Sequence, residues 1–329
     1  METEVFNSHD VILFEEQSEV QVISTDKPFI QANTIQSSLK EVKSKHVIPV
    51  FIKDNEPVIS HSDFIQCTMD VASEVFRGEM ILSPSVRLSH PIKGRIPTAK
   101  DKPAKELLEY EKTLYYERMA FAIELPSISD EIDGNQLSLS IGGVKSYSLD
   151  NLYNKKGVDE HFKVFIGFKN SVCTNLCVWS EGFVGDLKVK NLEQLMACMR
   201  TLFENYNATT HIQALRKLTG YSLTEQQFAL LIGRCRMYNH LPNPAKNDIT
   251  PLLLSDTQLG MVVKDFYRDN SFCKGEDGNI NLWRLYNLFT GSNKSSYIDT
   301  FLDRSVNAFQ FVDDLRDALD NRTTNWFLN

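Results

Sequence analysis

The chain has 329 residues, 42% of them hydrophobic and 24% charged, with a formal net charge of −8. Its length exceeds the roughly 250–300 residues at which one hydrophobic core usually stops growing, and its composition is that of a globular protein, which excludes a fibrous or wholly disordered chain. No stretch approaches the about 18 consecutive apolar residues of a membrane span, and Glu15-Glu16 cuts short the only early apolar run, Val11 to Phe14, so a cytoplasmic protein without membrane contact is expected.

Residues 1–35 hold seven acids against Lys27 alone and are rich in Ser, Gln, Thr and Asn, a composition that predicts a mostly disordered acidic tail. Ser37 to Val42 fits a short helix, and His46 to Ile52 reads as a strand ended by Asp54-Asn55. From Phe64 to Phe76 the apolar residues follow a helical stripe, opened by Ser60 or Ser62 and closed by Gly78. Residues 84–105 are the one clearly basic stretch, with Arg87, Lys93, Arg95, Lys100, Lys102 and Lys105 against Asp101.

A turn or short helix over Glu106 to Lys112 leads into a strand expected from Leu114 to Leu125, ended by Pro126. Asp133-Gly134-Asn135 is a turn signal, after which Leu137, Leu139 and Ile141, then Phe162, Val164, Ile166 and Phe168, alternate with other residues as half-buried strands do. Val172 to Trp179 continues an antiparallel meander, with Gly142-Gly143 and Tyr147 to Gly157 read as surface loops.

Beyond Lys190 the period lengthens to about 3.6 residues, with Leu192 to Tyr206 marking a long helix. Ser222 and Glu225 fit a capping box for the next helix, which Pro242 stops, and further helices are expected at about 256–268, 282–289 and 298–319, with Trp326-Phe327-Leu328 docking back on the body. The fold class predicted is α+β: an acidic tail over 1–35, a sheet-rich domain over 36–190 and a helical region over 191–329 packed on it.

The chemistry-bearing patterns are sparse. The six cysteines read as reduced, buried thiols, and Cys173 with Cys177 lacks the second pair that a structural zinc needs. Asp277-Gly278 resembles the centre of a calcium loop, but Cys273 and Arg284 occupy positions where acids are required, which leaves a turn. Asp159-Glu160-His161 reads as a solvated strand edge, because neighbours on a strand point oppositely. No phosphate-binding glycine loop, no nucleophile motif and no cofactor pattern is present, so no catalytic residue, metal or cofactor is assigned. The basic stretch suits a phosphate backbone, with Tyr110, Tyr115 and Tyr116 close by to stack on unpaired bases.

His46 to Val50, Leu88 to Arg95 and Asn325 to Asn329 resemble the domain of unknown function family numbered 3871, over nearly the whole chain from His46. Val172-Cys173-Thr174-Asn175 and Asn281 to Thr290 also resemble, more distantly, the phage- and plasmid-like protein family, from which Leu176 and Gly291 depart. That resemblance implies carriage on mobile elements and brings no established activity. Asn175, Asn287 and Thr290 are the residues it marks as a candidate polar junction between sheet and helices.

The expectation is a non-catalytic mobile-element accessory protein that binds nucleic acid, single-stranded DNA in recombination or replication, through residues 84–105. Two alternatives stand beside it. One is a metal-dependent nuclease built from Glu124, Asp133 or Asp159. The other is a protein-interaction factor in host defence or counter-defence that uses the acidic tail. A protein partner or homo-oligomer is compatible with each.

Overall fold

The computed structural model describes residues 28–48, 58–151 and 158–329. Most of the acidic tail lies outside the described residues, but order starts before the expected boundary at 36. Phe29 and Ile30 are buried, and β1 (Thr34–Ser37) is already a strand. The Ser38 hydroxyl accepts the Glu41 N–H and so caps α1 (Leu39–Lys45). The strand expected over 46–52 is described only to Ile48, with His46 bridging Leu114. A capping box of Ser60 and Asp63 opens α2 (His61–Val75), which buries Phe64, Ile65, Val71 and Ala72.

Six further strands build the sheet around one long hairpin. After β2 (Ser85–Ser89), the chain makes a separate two-stranded ribbon of β3 (Ile92–Arg95) and β4 (Lys112–Tyr115). The long hairpin of β5 (Arg118–Ile132) and β6 (Asn135–Ser146) turns at Asp133 and Gly134, whose φ values of 50° and 73° are those of a type I′ turn. The single strand expected from Leu114 to Leu125 is thus broken after Tyr115, and it does not end at Pro126. The β5–β6 register shifts between Leu125 and Ser129, so Pro126, which has no N–H to donate, sits in a bulge rather than in the ladder.

Gly142 and Gly143 are not in a loop but in the middle of β6. A Cβ on Gly143 would lie 2.4 Å from the Lys163 carbonyl oxygen and 2.5 Å from the Phe64 ring. The bare backbone there lets α2 seat Phe64 on the sheet. After α3 (Tyr147–Asn151) come β7 (Glu160–Asn170), β8 (Leu176–Cys177) and β9 (Phe183–Val189). The antiparallel order is β1-β2-β5-β6-β7-β8, with β9 also on β7. Of the strand expected over 172–179 only two residues pair, because Thr174 turns the chain at a φ of 58°.

The helical half comprises α4 (Leu192–Asn205), α5 (Ala208–Lys217), α6 (Glu225–His240), α7 (Asp256–Arg268), α8 (Leu282–Asn293) and α9 (Ile298–Asn321), with the short pair β10 (Ser222–Leu223) and β11 (Ile280–Asn281). Ser222 is therefore a strand residue, and the capping box of α6 is made by Thr224 and Gln227 instead of Ser222 and Glu225. The sequence pattern did not mark α5, whose inner face is only His211, Ile212 and Leu215.

One apolar core runs from α2 and the sheet residues Phe121, Ile141, Phe162 and Ile166 into α4 to α8, where Trp283, Tyr286 and Phe289 are fully buried. The opposite sheet face, with Ala120, Ala122, Val144 and Phe165, is covered by Phe29, Ile30 and the first turns of α9 through Phe301, Leu302 and Val306. Phe327 docks against Phe311 at a ring separation of 4.7 Å. The architecture is α+β, an antiparallel sheet followed by helices. Among the described residues no helix is long and apolar enough to cross a membrane.

Candidate functional site

The six basic residues of the 84–105 stretch divide by environment. Arg87 points into the β1–β2 pair, where its Nε and Nη2 donate to the Thr34 hydroxyl at 3.0 and 2.9 Å and Nη2 donates to the Thr34 carbonyl at 3.0 Å. It is buried, which lowers its pKa from the usual value. Lys102 pairs with Glu111 at 2.5 Å and holds that carboxyl below its ordinary range. Arg95 donates to the Lys102 carbonyl and bends the ribbon tip onto itself.

Lys93, Lys100 and Lys105 are exposed on the β3–β4 ribbon, and among the described residues none has a carboxylate partner. Asp101, Glu106 and Glu109 are exposed on the same ribbon. Of the three tyrosines expected to stack on bases, Tyr110 is 73% exposed, while Tyr115, the last residue of β4, and Tyr116 are buried.

The polar junction does assemble. The Asn175 amide donates to the Asn287 carbonyl at 3.0 Å, the Asn287 amide donates to the Trp283 carbonyl at 2.9 Å, and the Thr290 hydroxyl donates to the Tyr286 carbonyl at 3.1 Å. All three residues are buried, so the group ties the β7–β8 turn to α8 as a packing network. Burial pushes the Cys173 thiol up to about 11 and that of Cys177 higher still. None of the six cysteines is bridged, and Cys198, expected to be buried, is exposed.

The carboxylates of the nuclease reading lie apart in the fold. Glu124 accepts from Ser138 and Lys169, each at 2.6 Å, Asp133 sits in the β5–β6 turn 3.6 Å from Arg284, and Asp159 precedes β7. Among the described residues no group of three or more His, Cys, Asp or Glu is placed to hold a metal ion.

Glu160 and His161 are not a solvated edge. The Glu160 carboxylate is buried, accepts the Ile59 N–H at 3.1 Å and pairs with the fully buried Lys145 at 2.8 Å. Lys145 also pairs with Asp150 at 2.7 Å, and Asp150 in turn accepts the His161 N–H at 2.8 Å and lies 3.4 Å from His161 Nδ1. Next to this network the His46 and His61 rings stack at 4.8 Å. Tyr116 fixes both tautomers: its N–H donates to His46 Nδ1 at 3.2 Å, and its carbonyl accepts from His61 Nε2 at 2.8 Å. Burial pushes His46 down to about 4 and His61 well below the usual histidine value.

A cleft of about 330 Å³ opens where β6, β7 and β9 meet the start of α9, with His161, Lys163, Asp186, Lys188 and Asp299 on its walls. Its lining residues come from five elements, β6, α3, β7, β9 and α9, which no single sequence motif spans.

A family model described as "Domain of unknown function, B. Theta Gene description (DUF3871)" matches residues 10–328. The chain belongs to that family. Comparison of the DUF3871 chain with curated proteins and with solved structures returns no match. What distinguishes the molecule chemically is its own geometry: an exposed ribbon whose lysines have no carboxylate partner among the described residues, a buried Lys145-centred charge network, and the cleft beside it.

Proposed function

We propose that this DUF3871 protein is a non-catalytic nucleic-acid-binding accessory protein of mobile elements that contacts an unpaired strand through the β3–β4 ribbon. The supporting observation is that Lys93, Lys100 and Lys105, on β3 and the segment joining it to β4, stand in solvent with no carboxylate partner among the described residues, beside the exposed Tyr110. Lysines so placed neutralise phosphates and release condensed counterions, and an exposed tyrosine stacks on an unpaired base without reading its identity. Relative to the sequence-based set, Arg87 and Lys102 drop out, since both are held by intramolecular partners. The mobile-element setting rests on the sequence resemblance of Val172 to Asn175 and Asn281 to Thr290 to phage- and plasmid-like proteins.

The test is fluorescence anisotropy of labelled single- and double-stranded oligonucleotides at two salt concentrations, with and without magnesium. Salt-sensitive binding that prefers the single strand is expected. The triple substitution of Lys93, Lys100 and Lys105 to Ala should flatten the log K against log salt slope by about 2, at roughly 0.7 per single-strand phosphate contact. Absence of binding at low salt overturns the proposal, and magnesium-dependent loss of full-length oligonucleotide puts a nuclease in its place.

A further inference from the structure

We infer that the cleft between β6, β7, β9 and α9 is a subsite for one unpaired nucleobase, an inference that rests on the nucleic-acid reading of the ribbon. Three independent features of the cleft support it. The first is its charge balance. Lys188 pairs with Asp186 at 2.8 Å, Arg118 with Asp299 at 2.5 Å, and Lys163 with Asp303. Both lining lysines, Lys163 and Lys188, and the lining carboxylate Asp299 thus already face an opposite charge, so neither a free phosphate nor a metal ion finds uncompensated charge there. The rim nevertheless offers ammonium donors and carboxylate acceptors side by side, the complement of an uncharged ring whose edge carries both acceptors and N–H donors.

The second feature is an apolar wall, where Val144 and Leu149 present surface to the face of such a ring. A volume of about 330 Å³ is at the small end of ligand sites, suited to a single nucleoside rather than a larger cofactor.

The third feature is position. Ser146, on the cleft wall, lies opposite Arg118 in the β5–β6 ladder. Arg118 begins β5 just after β4 ends at Tyr115, so the cleft opens beside the root of the basic ribbon. A strand whose phosphates follow the ribbon lysines passes the cleft mouth, and one base turned out of the stack can enter it.

The experiment uses the full chain and two probes. Saturation-transfer NMR with the four deoxynucleosides reads the cleft alone, and anisotropy with a labelled single strand reads the ribbon. The double substitution Asp186→Asn with Lys188→Met alters an exposed pair and leaves the buried network in place. Transfer to at least one deoxynucleoside, lost in the double variant while the salt slope of oligonucleotide binding is unchanged, is the expected result. No transfer to wild type, or equal transfer to wild type and variant, overturns the inference. If the oligonucleotide still binds, the ribbon reading survives that failure; if it does not, both fall.

Discussion

Acid should destabilise this protein by forcing its buried histidines to take up protons. His211 is fully buried between Trp179, whose ring is parallel to it at 4.7 Å, and Phe309, and its Nδ1 lies 2.5 Å from the Tyr206 hydroxyl. Burial lowers it to about 3, and His46 to about 4. A histidine held neutral in the fold but free to charge at about 6.5 when unfolded contributes stability that is complete above pH 6.5 and is lost as the pH falls toward the folded value. At about 1.4 kcal/mol per pH unit, His211 removes about 2 kcal/mol between pH 6.5 and 5. His46 removes up to as much again, and His61 acts in the same direction. A sum of about 4 kcal/mol is a large share of a typical 5–15 kcal/mol stability. Surface carboxylates such as Glu225 and Asp256, lowered by Lys274 and Asn239, titrate below this window. Urea unfolding followed by circular dichroism at pH 7, 6 and 5 should show the midpoint falling steadily, and His211→Gln should shallow that fall by about one proton. A midpoint flat from pH 7 to 5, or an unchanged slope in His211→Gln, would refute the reasoning.

Replacing Lys145 with Met strands Glu160 and Asp150 without their cation and should cost about 3–5 kcal/mol, with part restored by adding Glu160→Gln, read as shifts in urea midpoint. Gly143→Ala should cost about 1–3 kcal/mol by forcing the Phe64 ring and the Lys163 strand apart, visible as a lower thermal midpoint. Arg87→Ala should lower stability and leave the salt slope of oligonucleotide binding unchanged, since its guanidinium is spent on Thr34; a flattened slope would return Arg87 to the interface.

Elements with a regular apolar period in the sequence were legible in the chain. Leu137, Leu139 and Ile141 gave β6, the Asp133-Gly134 dipeptide gave its turn, and the stripes of α4, α7, α8 and α9 gave helices within a few residues. Where tertiary packing overrides local preference the reading failed. Gly142-Gly143 looked like a loop because glycine usually marks one, whereas here it admits Phe64. Pro126 looked like an end because a bulge cannot be seen from one strand. The charge network carried a signal that went unused: Lys145 continues the phase of Leu137, Leu139 and Ile141, and Glu160 that of Phe162 and Val164, so two opposite charges sat on apolar faces. The cleft left no such trace, being assembled from residues far apart in sequence.

The position of α9 also sets an order of events during synthesis. Phe29 and Ile30, near the start of the described chain, and Ala120, Val144 and Phe165 in the sheet are covered by Ile298, Phe301, Leu302 and Val306. A ribosome must therefore synthesise the chain through Val306 before that face of the sheet can close, leaving its apolar residues open to solvent while the preceding helices are made. A chain stopped just short of Ile298 would keep every strand yet present an uncovered sheet, a form suited to capture by a chaperone rather than to function.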